Sequence, residues 1–281
     1  MSRIWWLFLL LSTASIWAGP LAQFRTVYGD IDVELFDDKP VTTQNFVRYV
    51  QRGLYQDMFF HRHIPGFVIQ GGGFAIRERG TTNAFVDSIP TFPAITNEFL
   101  AGRRISNIFG TIAMAKLGTD PDSATSQFFF NLANNAANLD TQNGGFTVFG
   151  KVVRGTNLLY RLNFPSAPTN HITIFNAGSP FDSIPSLSTN LLFTNLFFVD
   201  VSLLNTQVKL GANQTREINW NSVAGRTNYV EYTFLTNMPP QWVQLAATNG
   251  NGTPFKVVDA APSTTNRFYR VRIDYPANPI P

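Results

Sequence analysis

Apolar residues near the start of the chain alternate at first and then take a helical spacing. A β-hairpin is predicted over residues 24–36, with a turn at Gly29-Asp30 and with apolar positions at Val27, Ile31, Val33 and Leu35. Residues 42–52 are predicted to form a helix, because apolar residues recur there at helical spacing: Val41, Phe46, Val47, Val50 and Leu54. Thr42 or Thr43 can cap the start of this helix, and Gly53 can end it.

Short apolar runs separated by Gly, Asn, Asp and Pro follow. They predict strands over residues 67–70, 110–116, 126–132 and 147–153. A second short helix is predicted over residues 156–162, where Leu158, Leu159 and Leu162 lie on one side. Many short strands and two helices favour a mainly β fold, in which the helices cap the ends of a closed barrel.

The chain after residue 163 is predicted to consist of a loop, a strand and a region with a different sequence pattern. Residues 164–195 are rich in Pro, Ser, Thr and Asn, which predicts a long loop, and residues 196–204 are predicted to be the last strand of the first domain. From about Asn205 onward, short alternating segments at regular spacing predict a small β-sandwich. We therefore expect one domain over residues 23–204 and a second over residues 205–281.

Residues 1–22 have the layout of a cleaved signal peptide. Arg3 gives a positive start, and a short apolar run covers residues 4–11. Small residues follow, so cleavage after Ala14, Ala18 or Ala22 fits the pattern. A membrane anchor is the alternative, but the apolar run is short for spanning a bilayer. The expectation is an exported protein, periplasmic or extracellular, without stable membrane insertion after cleavage.

Composition excludes several functional classes. The chain has no Cys, so it forms no disulfide and has no thiol nucleophile. A formal net charge of only +3 over 281 residues, with no basic run, argues against a nucleic-acid surface. The 26 Phe residues indicate β-structure around a large aromatic core.

Four segments contain the residues from which chemistry can be inferred. Residues 59–74 read Phe-Phe-His-Arg-His-Ile-Pro-Gly-Phe-Val-Ile-Gln-Gly-Gly-Gly-Phe, which places Arg62 and Gln70 among aromatic residues and glycines. The others are Gly-Thr-Ile-Ala-Met-Ala-Lys at 110–116, Asp-Pro-Asp-Ser-Ala-Thr-Ser-Gln-Phe-Phe-Phe-Asn-Leu at 120–132, and Phe-Thr-Val-Phe-Gly-Lys-Val at 146–152. In this order and spacing they resemble the cyclophilins over roughly residues 24–204. The resemblance implies a peptidyl-prolyl cis/trans isomerase built on a closed eight-stranded β-barrel capped by two α-helices, with no cofactor.

The chemistry of this reaction explains why an arginine is needed. Rotation about an X–Pro bond crosses a barrier of roughly 20 kcal/mol, because resonance gives the C–N bond double-bond character. The proline nitrogen regains its lone pair only when the amide is twisted, so a fixed cation aimed at that nitrogen stabilises the twisted form selectively. A guanidinium stays charged and presents rigid donors, which suits Arg62 to this task. The resemblance implies that the catalytic residues are Arg62, Gln70, which orients Arg62, and Phe129.

The resemblance also implies the substrate-binding residues. Those around the proline ring are Phe67, Val68, Phe129 and Leu139, with Phe146 on the pocket wall. Those along the groove for the preceding peptide are Ala115, Lys116 and Gln127, partly through backbone groups. Strand alternation puts Gln127 and Phe129 on one face, and it turns Phe128 and Phe130 toward the core. Phe67 does not fit simple alternation unless the chain bends after Pro65-Gly66.

Three positions depart from the family pattern. Val68 stands where Met is usual, Asn138 where Trp or Phe is usual, and Phe146 where His or Tyr is usual. We expect activity to persist with an altered preference and with low sensitivity to cyclosporin. The alternative function is a proline-peptide-binding module or holdase with slight turnover. Expected partners are proline-containing peptides and folding exported proteins, with the chain acting as a monomer.

Several motifs have a second interpretation. His61 and His63 stand two apart like metal ligands, but no third ligand is well spaced, so His61 is interpreted as a packed core residue. Residues 71–73 are Gly-Gly-Gly, which favours close backbone packing over a phosphate loop, since the Lys-Ser/Thr of such a loop is missing. Asp120, Asp122 and Asp140 are interpreted as solvated turn residues and not as a calcium site.

The aromatic residues of the C-terminal region are predicted to fill its core: Trp220, Tyr229, Trp242 and Phe268. A sugar-binding platform is the alternative. Their pattern resembles fibronectin-type-III-like modules that are appended to exported bacterial proteins. Such a module can target the enzyme to a surface, a polysaccharide or a partner.

Overall fold

The first hairpin forms where the alternating pattern predicts it, but its turn comes earlier. In the computed structural model, β1 (Leu21–Thr26) pairs antiparallel with β2 (Gly29–Leu35), and Val27 and Tyr28 form the turn. The predicted turn at Gly29-Asp30 is wrong, because Gly29 pairs with Thr26 as the first residue of β2. Ala22 in β1 is completely buried, so the sheet begins within the residues assigned to the signal peptide.

The structure describes residues 20–165, 171–204, 206–212, 215–222, 225–234, 241–251, 253–260 and 267–273. Most of the predicted signal peptide, including Ala14 and Ala18, and the predicted domain boundary at Asn205 lie outside these ranges. The strands that follow the hairpin are β3 (Met58–Phe59), β4 (Arg62–Ile64), β5 (Val68–Gly71), β6 (Phe74–Arg77), β7 (Phe85–Ser88), β8 (Thr111–Met114), β9 (Phe128–Asn131), β10 (Val148–Arg154), β11 (Thr173–Phe175), β12 (Ile184–Ser186) and β13 (Phe198–Leu203).

Eleven of these strands form one strongly curled sheet in the order β4-β5-β9-β8-β10-β2-β1-β13-β3-β6-β7. This order is open, so the closed eight-stranded barrel expected from the sequence is corrected. β3 and β4 follow each other along one segment and are separated only by Phe60 and His61. The N–H groups of Phe60 and His61 donate to Phe197 O at 3.0 Å and to Gln70 O at 3.1 Å. The segment therefore leaves β13 for β5 at this point, and β6 and β7 extend the sheet beyond β3.

An aromatic core fills the inside of the curl. Phe24, Phe128 and Phe130 pack edge to face, with ring centroids 4.9 to 6.2 Å apart. Phe46 from the first helix stacks on Phe24 at 5.8 Å. All four residues are completely buried, as the Phe-rich composition indicates.

Helices lie where the sequence predicts them, with one correction at a cap. α1 (Pro40–Gln51) begins two residues early because Pro40 fits the first helical turn. Neither Thr42 nor Thr43 caps it: the Glu98 carboxylate accepts hydrogen bonds from Val41 N at 3.1 Å and Thr42 N at 2.7 Å. A single turn, α2 (Ala136–Leu139), follows β9, and α3 (Thr156–Leu162) buries Leu158, Leu159 and Leu162 as expected.

Within the predicted loop over residues 164–195, the described residues 171–195 contain regular elements. β11 pairs antiparallel with β12, and a 3-10 turn covers Phe193–Asn195. Ile184, at the start of β12, packs with Phe59, Ile76 and Phe198 on the far side of the main sheet. These strands were not predicted because each is only three residues long and lies in a segment rich in Pro and Ser.

The C-terminal region forms two three-stranded sheets. Its strands are β14 (Gln207–Leu210), β15 (Arg216–Asn221), β16 (Thr227–Phe234), β17 (Val243–Asn249), β18 (Pro254–Asp259) and β19 (Arg267–Ile273). The sheet orders are β14-β15-β18 and β17-β16-β19. Ile218 and Trp220 of the first sheet pack against Val230 of the second in one buried cluster.

Only one of the four C-terminal aromatics behaves as predicted. Trp220 is 3% exposed in the cluster between the sheets, and its Nε1 donates to Asn228 Oδ1 at 3.2 Å. Tyr229, Trp242 and Phe268 lie outside that cluster, and Phe268 is 48% exposed. The guanidinium groups of Arg272 and Arg270 each stack at 4.0 Å, on Tyr229 and Trp242 respectively. The prediction of a core role is wrong for these three residues, because they do not point toward the inner faces of the two sheets.

Within the part of the chain that the structure describes, no helix has both the length and the apolar character needed to cross a bilayer.

Candidate active site

Cross-strand register brings three residues from separate segments of the chain into one row. Arg62 of β4 faces Gln70 of β5, Gln70 faces Phe129 of β9, and Phe129 faces Ala113 of β8. Directly opposed residues on neighbouring strands point to the same face of a sheet. The predicted catalytic residues Arg62, Gln70 and Phe129 therefore lie side by side, on the outer face of the curled sheet.

An apolar cluster lies on this face beside Arg62 and Gln70. Its buried members are Val68, Ala113, Phe129, Leu139 and Val148, and its partly buried members include Phe67, Ala115 and Phe146. Phe129 and Phe146 meet edge to face, with ring centroids 5.8 Å apart. Phe128 and Phe130 belong instead to the inner core, as the alternation along β9 predicts. All five residues predicted to surround a proline ring are thus in one cluster.

A turn before β5 explains the position of Phe67. Gly66 has a φ of +71°, which a residue with a side chain adopts only with strain. Phe67 N donates to Ile64 O at 3.0 Å, so the chain bends at Pro65-Gly66 as the position of Phe67 required. The bend lets Phe67 join the same cluster as Val68, although the two residues are adjacent.

The polar residues of the row differ in their partners. Gln70 Nε2 donates to Gln127 Oε1 at 2.7 Å, so the Gln70 amide is fixed by Gln127 and not by Arg62. Among the described residues, no hydrogen bond or ion pair engages the Arg62 side chain, which is partly exposed. This leaves a guanidinium beside the apolar cluster whose donors no described residue occupies.

The buried His61 ring forms a hydrogen bond with the Gln127 side chain. The ring is 3% exposed and lies edge to face on Phe74, with centroids 5.1 Å apart. Burial lowers the pKa of His61 to about 4, against a raising effect of its hydrogen bond with Gln127, and the charge of Arg62 lowers it further. His61 is therefore neutral at pH 7, and its interpretation as a packed, hydrogen-bonded residue agrees with the structure.

The glycines at 71–73 allow the backbone to approach Gln127 and His61 closely. A Cβ at Gly73 would lie 3.1 Å from Gln127 Cδ and 3.1 Å from His61 Cε1. Gly72 has a φ of +81° and faces the backbone of Ser126 and Gln127. This confirms close backbone packing, which the sequence favoured over a phosphate loop.

Two of the residues predicted to line the groove, Ala115 and Lys116, already have partners within the protein. Ala115 N donates to Gln127 O at 2.9 Å, so that amide is not available to a bound peptide. Lys116 Nζ donates to the carbonyl oxygens of Asn143 and Gly145, each at 2.6 Å, and lies 4.6 Å from the centre of the Phe146 ring. Lys116 therefore fixes the loop before Phe146 and covers one side of that ring. Burial lowers the pKa of Lys116, while the charges of Asp122 and Asp120 raise it.

Asn138 stands apart from the predicted site. It is exposed on α2, whereas its neighbour Leu139 is buried in the apolar cluster. The position where Trp or Phe is usual in the family therefore contributes no apolar surface to this wall.

A network of four polar residues beneath the pocket wall was not predicted from the sequence. Asn107, Asn131 and Asn135 are 0%, 0% and 7% exposed, and hydrogen bonds connect them to one another. Asp140 lies in a turn and is partly exposed, as interpreted, but its Oδ1 also accepts from the N and Nδ2 of Asn107, each at 2.9 Å, and so has a structural role. Asn131 lies in a predicted strand and Asp140 in a predicted turn, and no spacing rule shows that such residues join one buried network.

His63, Asp120 and Asp122 also have partners within the protein. His63 Nε2 lies 2.8 Å from Leu162 O and thus connects β4 to α3. Asp120 Oδ1 accepts from Asp122 N at 2.9 Å, within a turn, as expected. Within the described ranges, no three His, Asp or Glu residues are arranged to hold a metal ion.

Taken together, the outer face presents a guanidinium, a fixed pair of amides and an apolar wall of three aromatic and two aliphatic side chains. Such a surface can hold a pyrrolidine ring on the wall and place a cation near the adjacent imide bond. No residue of the row is suited to form a covalent bond with a substrate, because the row contains no activated nucleophile.

Comparisons with known proteins agree on a family. The family model described as "Cyclophilin type peptidyl-prolyl cis-trans isomerase/CLD" matches residues 21–178. A peptidyl-prolyl cis-trans isomerase of Acinetobacter baylyi is 38% identical over 161 residues, which are 56% of this chain and 80% of that protein. Peptidyl-prolyl cis-trans isomerase A of Dickeya dadantii is 39% identical over 166 residues, covering 57% and 76% of the two chains.

Two further matches are similar. Peptidyl-prolyl cis-trans isomerase B of Escherichia coli is 37% identical over 149 residues, which are 50% of this chain and 83% of that protein. A crystal structure of a Cryptosporidium parvum cyclophilin type peptidyl-prolyl cis-trans isomerase, determined in the presence of the dipeptide Ala-Pro, aligns with a TM-score of 0.42 and 26% identity. The alignment covers 65% of this chain and 98% of that one.

Proposed function

Because this chain belongs to the cyclophilin-type peptidyl-prolyl cis-trans isomerase family, we propose that it accelerates X–Pro isomerisation in exported proteins and so assists their folding. The observation that supports this best is the row Arg62–Gln70–Phe129, which places a charged guanidinium beside an apolar wall. Uncatalysed X–Pro isomerisation takes tens to hundreds of seconds, so it limits the folding of many chains. An isomerase needs no cofactor for this work.

In this proposal the apolar wall binds the proline ring. Val68, Phe129 and Leu139 are its buried members, which we call the floor, and Phe67 and Phe146 are partly buried, which we call the sides. Burying an apolar ring of this size contributes about 1.5–3 kcal/mol to binding. The wall holds the ring still, so that rotation takes place in the peptide that precedes the proline.

Arg62 then stabilises the half-rotated imide bond. When the bond twists, the proline nitrogen becomes pyramidal and can accept a hydrogen bond that neither planar isomer can accept. A donor that acts only on the twisted form lowers the barrier without trapping either isomer. Gln70 and Gln127, joined by their hydrogen bond, are proposed to hold the backbone of the preceding residue.

We further propose that the chain is exported and cleaved before Leu21. Leu21 and Ala22 are part of β1, where Ala22 pairs with both Val33 and Leu203. Cleavage after Ala22 would remove these pairings, so of the candidate sites those at Ala14 and Ala18 are the better ones. The destination is a periplasm or the medium, where the absence of Cys leaves stability to the core alone.

The activity is tested by measuring exchange and affinity on one sample. A short X–Pro peptide is titrated with the protein while two-dimensional NMR exchange spectra follow interconversion of its cis and trans forms. We expect cross-peaks that grow with substoichiometric protein, together with weak, saturable binding. Saturable binding with no added exchange would contradict the enzyme and would instead support the proline-peptide-binding alternative.

A further inference from the structure

A network of buried amides lies directly beneath the apolar wall. Asn131 is on the same face of β9 as Phe129, two residues further along, and is completely buried. Its Nδ2 donates to Asn107 Oδ1 at 3.1 Å and to Thr111 Oγ1 at 2.9 Å. Its Oδ1 accepts from Asn135 Nδ2 at 2.8 Å. Both side-chain donors and the acceptor of Asn131 are therefore occupied within the protein.

The network ends on the backbone of the wall residues. Asn135 Nδ2 donates to Phe67 O at 2.8 Å, and Asn107 Nδ2 donates to Phe146 O at 3.0 Å. Asn107 also donates twice to Asp140 Oδ1, which immediately follows Leu139. Three of the five wall residues are thus tied to one set of three asparagines.

These three wall residues are the ones that the sheet does not position. Val68 and Phe129 lie within strands, where ladder hydrogen bonds on both sides fix them. Phe67 precedes β5, Leu139 ends a single helical turn, and Phe146 precedes β10. Backbone hydrogen bonds join these connections, from Leu132 N to Phe67 O at 2.8 Å and from Phe146 N to Leu139 O at 2.9 Å. The asparagine side chains add a second set of hydrogen bonds to the same segments.

Burying three amides destabilises the fold unless each amide finds hydrogen-bond partners within the protein. An unsatisfied buried amide is destabilising, whereas apolar side chains of similar size would fill the same space without that requirement. A satisfied polar network in a low-dielectric interior fixes one arrangement of the groups that it joins. Here that arrangement is the distance between the sides and the floor of the apolar wall.

We propose that Asn107, Asn131 and Asn135 are positioning residues that set the shape of the prolyl pocket and thereby the rate of isomerisation. This inference rests on the proposed function of the wall as the site for the proline ring. A pocket with mobile sides binds the ring in several poses, few of which direct the imide bond at Arg62. Small displacements of this kind reduce turnover strongly, since an error of 1 Å can cost a factor of about 100.

The test compares Asn131→Ala, Asn135→Ala and the double variant with a matched buried asparagine elsewhere. The control is Asn228→Ala: Asn228 is also completely buried, but it bonds Trp220 and the Arg226 carbonyl in the C-terminal region. For each protein, kcat and KM for an X–Pro peptide are measured by NMR exchange, well below its own melting temperature. We expect kcat/KM to fall about tenfold in Asn131→Ala and Asn135→Ala.

Two further results distinguish positioning from stability alone. The double variant is expected to lose no more than the worse single variant, because both substitutions interrupt one network. Asn228→Ala is expected to lower the melting temperature and leave kcat/KM unchanged. If Asn131→Ala does not fold, Asn135→Asp replaces it, since it keeps the side-chain shape but cannot donate to Phe67 O.

Folded Asn131 and Asn135 variants with the kcat and KM of the unmodified protein would overturn the inference. In that case the network only stabilises the fold, and the proposed function is unaffected. If the unmodified protein itself shows no exchange, the proposed function fails, and this outcome is separate because it requires no variant.

Discussion

Arg62 is the residue on which the proposed chemistry depends, and its environment is consistent with that role. A guanidinium buried in an ion pair would be neutralised, whereas this one faces the groove beside Phe129 and Gln70. The hydrogen bond that it can donate to a twisted imide is charge-assisted and contributes about 1.5–3 kcal/mol. By transition-state arithmetic, this corresponds to roughly one to two orders of magnitude in rate. The remaining acceleration must come from holding the proline ring and the preceding peptide in place.

Residues of the row could be predicted from the sequence, but the residues behind it could not. Arg62, Gln70 and Phe129 stand in long motifs, and strand alternation correctly placed Phe129 apart from Phe128. Asn107 stands between Ser106 and Ile108, and Asn131 directly follows Phe130 in a predicted strand, so the local sequence marks neither as part of a buried network. Their roles depend on contacts such as those of Asn131 with Asn107 and Thr111, which are 24 and 20 positions away and which no local pattern records.

At the scale of elements, the connection between β4 and α3 contains a titratable group. The His63 ring is 1% exposed, and its Nε2 lies 2.8 Å from Leu162 O at the end of α3. Burial lowers the pKa of His63 to about 4, against the raising effect of this hydrogen bond. A His whose pKa is lower in the folded state than in the unfolded state stabilises the fold above the unfolded pKa of about 6.5. That stability is lost as the pH falls toward 4.

We therefore predict that His63→Gln reduces the acid sensitivity of folding. Glutamine retains an N–H donor for Leu162 O but does not titrate. Between pH 6.5 and pH 4, the unfolding free energy of the unmodified protein should fall by about 3 kcal/mol more than that of the variant. Urea unfolding at several pH values measures this difference, with His171→Gln at an exposed position as the control. Equal pH dependence of all three proteins would contradict the burial argument.

Helices were predicted correctly where apolar residues recur at helical spacing over two or more turns. α1 and α3 were placed to within two residues, because their buried positions recur at helical spacing. β3 and β11 were missed, since strands of two and three residues show no alternation. The start of α1 was misplaced because its cap is Glu98, which is 56 positions from Thr42 along the chain.

At the scale of the whole molecule, a charged cluster joins the C-terminal region to the main sheet. The carboxylate of Asp57 lies 3.3 Å from Arg79 Nη1 and 3.4 Å from Arg226 Nη2. Asp200 of β13 is 3% exposed, and its Oδ1 accepts from Asp57 N at 2.8 Å. A cavity of about 1070 Å³ lies beside this cluster, lined by residues that include Ile76, Phe193 and Arg226. Among the described residues, the Arg226–Asp57 ion pair and a hydrogen bond from Arg25 Nη1 to Ile273 O at 3.3 Å join the two regions, and no buried apolar cluster spans both.

The pKa of Asp200 predicts a pH effect opposite to that of His63. Burial raises its pKa to about 6, and the charge of Asp57 raises it further, whereas the hydrogen bond from Asp57 N and the two arginines lower it. A carboxyl whose folded pKa is raised makes the fold less stable as the pH rises from about 4 to 6.

Asp200→Asn keeps the acceptor for Asp57 N and removes the titration. Relative to the unmodified protein, we expect the variant to gain roughly 2–3 kcal/mol of unfolding free energy between pH 4 and pH 7. Urea unfolding at the two pH values measures the gain. Asp87→Asn, at an exposed salt bridge with Arg77, serves as the control and should shift little. A variant less stable than the unmodified protein at pH 7 would show that the charge of Asp200 is needed by Arg79 and Arg226.

Global architecture was predicted in outline only. The mainly β fold and the two C-terminal sheets follow from alternation and turn spacing, but closure of the main sheet does not. Whether a curled sheet closes depends on which strand lies beside which, and here the segment of β3 and β4 pairs with β13 at one end and with β5 at the other. Register between distant strands is a tertiary property, which explains why the number of strands was underestimated.

The central claim is that the guanidinium of Arg62 lowers the barrier to rotation while the apolar wall binds the proline. The most direct measurement is NMR exchange of an X–Pro peptide with the unmodified protein, Arg62→Ala and Arg62→Lys, with peptide affinity determined on the same samples. We predict that Arg62→Ala loses about 100-fold in kcat and keeps its affinity to within a few-fold, and that Arg62→Lys recovers only part of the rate. Unchanged exchange in Arg62→Ala, with the peptide still bound, would contradict the account.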